Sequence, residues 1–153
     1  MQRPGERALM GRRTLVAVVR ADGRFDCRYA HWGVDADPIA QSEPLGRAWP
    51  AATVCSTLDA GFDQLLVCDG TVRRYCVCWL DPTLTDSEDV VLVRADDPAA
   101  LREWWVETKS RACEVVGDGI DARTARAGLL VALRQRADAV FLLDDASFLR
   151  TDR

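Results

Sequence analysis

Two stretches of the chain repeat one pattern: an apolar run, an Asp-Gly pair, and a run in which polar and apolar positions alternate. In the first, TLVAVV from Thr14 leads to Asp22-Gly23, after which Phe25, Cys27, Tyr29 and His31 alternate with Asp26, Arg28 and Ala30. In the second, QLLVC from Gln64 leads to Asp69-Gly70 and then TVRRYCVCWL, where Cys76 and Cys78 share one face and Tyr75, Val77 and Trp79 the other. Asp-Gly between such runs is a β-hairpin signal. The first strand is apolar on both faces, which predicts a central place in the sheet.

Between the hairpins, Gly33 to Pro50 carries Asp35, Asp37, Pro38, Pro44, Gly46 and Pro50 and reads as a long irregular loop. Ala51 to Ala60 follows as a short helix that opens after Pro50 and stops at Gly61. Val90 to Val93 is a fifth strand. Asp96 or Asp97 then caps a helix whose Leu101, Trp104, Trp105, Thr108, Ala112, Val115 and Val116 recur at helical spacing. Gly117-Asp118-Gly119 ends it, and Asp121 caps a second helix with Ala125, Leu129, Ala132 and Leu133 facing inward. The short link predicts an antiparallel helical hairpin. Ala139 to Leu143 is a sixth strand. The fold class is therefore α+β: a mainly antiparallel sheet of five or six strands built on two β-hairpins, covered on one face by a C-terminal helical hairpin.

At 153 residues and 48% apolar content, the chain fits one domain with its own core, read as residues 11–150 behind a polar leader at 1–10, with Met10 as an alternative start. No run approaches the roughly 18 apolar residues of a membrane span, and the first residues lack the apolar stretch of a signal peptide. The expectation is a cytoplasmic protein with no membrane contact. In that compartment the six cysteines read as buried hydrophobes, metal ligands or reactive groups before disulfides. Of 20 basic residues only Lys109 is lysine, and of 24 acidic residues 18 are aspartate. That usage suits a high-salt cytoplasm, where acidic surface aids solubility. At molar salt the Debye length is about 3 Å, so a partner must be held by packing or direct contact.

The run MGRRTLVAVVRADGRFDCRYAHWG, ending on Tyr29-Ala30-His31-Trp32-Gly33, resembles a family of small uncharacterised haloarchaeal proteins, and LREWWVETKSRACEVVGDGIDARTARAGLL is similar to its C-terminal part. The likeness covers most of Met10 to Ala137. It implies a haloarchaeal cytosolic protein and no activity. The chain departs from the family between Gly33 and Leu66, where a longer acidic, histidine-bearing helix is expected, and by cysteines where relatives carry aliphatics.

His31 is the lone histidine, at the end of a strand where a cleft can open and a pKa can be tuned for proton transfer. With Asp35 and Asp37 it makes a His-x3-Asp-x-Asp set that suits a divalent metal or acid/base chemistry. A histidine bonded to backbone and a solvated acidic loop account for the same residues without chemistry, and that reading is preferred. Cys76 and Cys78 are a candidate metal pair lacking further ligands at zinc-site spacing. Cys68 should pair with Thr71 and lie away from them. Trp104 and Trp105 sit about 100° apart on a helix, so the core takes one and leaves the other to a loop or an interface. Arg12-Arg13, Arg73-Arg74, Arg123 and Arg126 lack the aromatic interleaving and motifs of a nucleic-acid site. No phosphate loop appears, and no cofactor is expected. The leading reading is a non-catalytic module that binds a protein partner or itself as a homo-oligomer. The rivals are a small hydrolase using His31 with Asp35 and Asp37, and a nucleic-acid-associated regulator.

Overall fold

A computed structural model of the chain describes residues 12–32, 42–83, 88–143 and 149. Both hairpins form where the alternation places them. Arg12–Val19 (β1) runs antiparallel to Phe25–Trp32 (β2), with Val19 opposite Phe25. Their turn closes because Gly23 takes a φ of 81°, its N–H donates to the Arg20 carbonyl, and the Asp22 carboxylate accepts from the Arg24 N–H at 3.0 Å. Only glycine enters that backbone region without steric cost.

The expected loop from Gly33 to Pro50 is corrected in its second half, where Glu43–Trp49 forms a strand (β3) on the outer side of β2. The residues that make it read as loop also make it an irregular strand. Pro44 has no N–H to give a ladder and is tolerated because β3 is an edge. Register slips between Phe25 and Arg28, and Ala48 adopts a φ of 55° while its N–H donates to the Asp26 carboxylate at 3.0 Å. Gly46 lies against the Trp49 ring, in space that a Cβ would need.

Ala51–Thr57 (α1) is the short helix, ending three residues before Ala60 because Leu58 is already extended. Gln64–Asp69 (β4) and Thr71–Trp79 (β5) form the second hairpin. Its register corrects one expectation: Asp69 faces Thr71, so Cys68 faces Val72 and Cys76 faces Gln64. Val90–Arg94 (β6), Pro98–Gly117 (α2), Ala122–Arg136 (α3) and Ala139–Leu142 (β7) complete the chain order. The Asp97 carboxylate caps α2 by accepting from the Ala100 N–H at 3.1 Å. Asp121 holds the matching position of α3 but makes no side-chain cap bond.

The sheet has seven strands in the order β3-β2-β1-β4-β5-β6-β7, one or two more than expected. Every neighbour is antiparallel except β1 and β4, which run parallel and join the two hairpins. The connection that makes them parallel passes through α1. A second correction concerns the layers, since helices cover both faces. Leu15, Ala17, Phe25, Cys27, Leu65, Val67, Tyr75 and Leu92 meet Val54 and Leu58 of the α1 segment. On the opposite face Cys78, Val91 and Val93 meet Leu101, Trp105 and Ala112 of α2 and Leu129 and Leu133 of α3. Strand alternation makes the division, as β6 sends Leu92 one way and Val91 and Val93 the other. Each fully buried Leu, Val or Phe contributes about 1.5–3 kcal/mol. Among the described residues no helix is long and apolar enough to cross a membrane.

Candidate functional site

His31 ends up exposed on β2, opposite Arg13, and away from the apolar layer its strand face serves further along. Asp35 and Asp37 lie outside the described residues. Among the described residues no three His, Cys, Asp or Glu side chains come together as metal ligands. Cys76 and Cys78 share a face, as the alternation requires, and it is the face under α2. All six cysteines are thiols. Burial pushes the Cys78 thiol well up, with Cys76 beside it acting in the same direction, and burial with Asp26 nearby raises Cys27 to about 11. Such thiols stay protonated and unreactive. Trp105 is buried in the core at 4% exposure, while Trp104 is half-buried, 6.0 Å from it and covered by the Arg136 guanidinium at 5.0 Å.

The structure brings together a different set. Between α2 and the ends of β4 and β5 lies a cavity of about 110 Å³. Its charged groups are Asp63, Arg102 and Lys109. Asp63 is fixed from two sides: one carboxylate oxygen accepts from the Arg13 backbone N–H at 2.8 Å, the other from Arg102 Nη2 at 2.6 Å. The same residue's backbone N–H donates to the Arg13 carbonyl and its carbonyl accepts from Val77. One aspartate thus ties β1, the lead into β4, β5 and α2 together, and it neutralises Arg102.

Lys109, the single lysine of the chain, points across the cavity wall with Nζ 4.4 Å from the centre of the Trp79 ring. A cation over an indole face is held by the ring quadrupole. No carboxylate pairs with it among the described residues. Burial holds its ammonium below the ordinary lysine range, and the Arg102 cation pushes the same way. Gln64 and Trp105, 5% and 4% exposed, also line the cavity. Gln64 Nε2 and Trp105 Nε1 are sealed from solvent without an acceptor among the described residues. Buried donors are rarely left this way.

Lys109, Gln64 and Asp63 do not stand out in the sequence as a site. The signal that finds Lys109 is its spacing: Leu101, Trp105 and Lys109 fall at i, i+4 and i+8 and so share the face that α2 lays on the sheet. Asp63, just before β4, and Trp79, at the end of β5, arrive from elsewhere in the chain, and only the non-local pairing brings them near.

Residues 10–64 match a family of unknown function (DUF6735). That stretch contains β1, β2, β3 and α1 and ends at Gln64, one residue beyond Asp63. No curated protein and no solved structure matches the chain.

Proposed function

We propose that this chain is a non-catalytic module, haloarchaeal and cytoplasmic, that associates with a second copy of itself through its helical hairpin. The observation that carries the reading is where the exposed apolar side chains fall. Of the six large hydrophobic residues exposed among the described residues, Val106, Val115, Ile120 and Val131 belong to the α2–α3 hairpin, at 40–54% exposure. The charges around them explain why the occupant is a copy of the same chain. Exposed Glu103 and Glu114 lie on α2 beside the Glu107–Arg111 pair, and exposed Arg123 and Arg134 lie on α3. A two-fold pairing that sets α2 of one copy on α3 of the other matches acid to base twice. In molar salt those pairs are screened, so Val106 and Val131 carry the affinity, with Val115 on the other side of α2 from Val106. The dominance of arginine and aspartate supports the haloarchaeal assignment.

The test is the solution mass by light scattering in molar potassium chloride, for the wild type and for a Val106→Asp/Val131→Asp variant. The expected result is a dimer that becomes a monomer in the variant with an unchanged melting temperature. A wild type that stays monomeric at about millimolar concentration would sink the reading.

A further inference from the structure

We infer that the cavity between α2 and the β4–β5 hairpin is a binding site for a small monocarboxylate, whose oxygens pair with the Lys109 ammonium. Three independent features of the cavity converge on that ligand. The first is charge. Arg102 is already neutralised by Asp63 at 2.6 Å, the Cys78 thiol is held neutral by burial, and Lys109 has no carboxylate partner among the described residues. The wall therefore carries one uncompensated positive charge, which one negative charge satisfies. A half-buried cation without a counter-ion is costly, and an entering anion lowers that cost.

The second feature is hydrogen-bonding polarity. Apart from the engaged Asp63, the unpaired polar atoms of the residues that line the cavity are donors: the Lys109 ammonium at its wall, with Gln64 Nε2 and Trp105 Nε1 sealed behind the surface. A ligand must bring acceptors and no donors, which a carboxylate does with both oxygens. The third is size and lining. At about 110 Å³ the space holds a few heavy atoms and excludes a nucleotide or a peptide side of any length. Leu101 and Pro98 give it an apolar wall on which a short hydrocarbon tail packs. A phosphate dianion brings twice the charge that the wall can neutralise and no apolar part to match it.

Because Lys109 is the chain's single lysine, its ε-amine can be followed without ambiguity. The experiment titrates the full-length protein with propionate, with propionamide as the neutral isostere and with inorganic phosphate, at fixed potassium chloride. Two readouts are taken: the indole N–H resonance of Trp105, assigned with a Trp105→Phe variant, and the rate at which an acylating reagent modifies Lys109, read by peptide mass spectrometry. Propionate is expected to shift the indole signal and to slow acylation, and propionamide to do neither. Lys109→Met should weaken propionate binding at least about tenfold, and Lys109→Arg, which keeps the cation, should bind within about threefold of wild type. Propionamide binding as tightly as propionate, phosphate binding more tightly, or Lys109→Met retaining wild-type affinity would each overturn the assignment. So would the absence of any shift at about 100 mM propionate, since a site of this kind should bind in the millimolar range.

Discussion

The two faces of the sheet are built from the same strands and end with opposite chemistry. Toward α1, Leu15, Leu65, Val67, Tyr75 and Leu92 pack at no more than 1% exposure, and beside them stand one buried thiol, Cys27, and the half-buried Arg73, whose guanidinium donates to the Tyr75 hydroxyl at 3.4 Å. Toward the hairpin the strands present Cys76 and Cys78, and α2 brings Arg102, Lys109 and the indole N–H of Trp105 to the same place. The first face is mostly an apolar core. The second keeps a cation and two orphan donors that a better-packed core would not contain. Polar groups held at a stability cost point to use, and the lesson is to look for function on the hairpin side.

The largest effect that can break this comparison is a cavity in the first face. Leu65→Ala is expected to lower stability by about 2–5 kcal/mol, read as a shifted urea midpoint at unchanged slope, while the folded fraction keeps its carboxylate affinity. If affinity falls with stability, the two faces are not separate. A smaller effect is expected where the faces are joined. Asp63→Ala strips the acceptor from Arg102 and from the Arg13 N–H and should cost about 1–3 kcal/mol, as loss of a partner to a charged donor does. It also removes the negative charge that balances Arg102, so carboxylate binding should tighten. A variant with weaker binding would contradict the charge balance assigned to the cavity.

The third effect is a slope rather than a step. Burial raises the Cys27 thiol to about 11 and lifts Cys78, Cys55 and Cys68 as well, so the unfolded chain releases its thiol protons first. The folded state then binds more protons, and stability falls as pH climbs above the unfolded thiol value of about 8.5. Lys109 works against this. Its lowered value means the unfolded chain holds that proton longer, so its own contribution rises with pH up to about 10.4. Denaturant titrations between about pH 8 and 10 should show a net loss of stability that steepens in Lys109→Met. A flat profile would mean that the thiols are not buried as described.

Local signals made much of this fold legible. Asp22-Gly23 and Asp69-Gly70 locate both turns, the two-residue alternation assigns Tyr75 and Cys76 to opposite faces, and the spacing of Leu101, Trp105 and Ala112 identifies α2. β3 was hidden because Pro44, Gly46 and Pro50 are loop residues by local preference. It exists through contacts from elsewhere, its pairing with β2 and the Asp26 carboxylate on the Ala48 N–H. The parallel pairing of β1 with β4 is likewise a long-range choice with no local signature. The site was less legible than the fold. His31 stands out by being alone, yet it is exposed, whereas Lys109 is equally alone and acquires its setting from Trp79 and Asp63, distant in the chain.

The measurement that bears most directly on a hairpin side built for binding is hydrogen exchange, compared between dilute and concentrated protein in molar potassium chloride. Self-association through α2 and α3 should slow exchange in residues 98–136 on concentration and leave β1 and β2 unchanged. Protection that appears instead along β1 and β2, or no change across the chain at a concentration where the protein is dimeric, would contradict it.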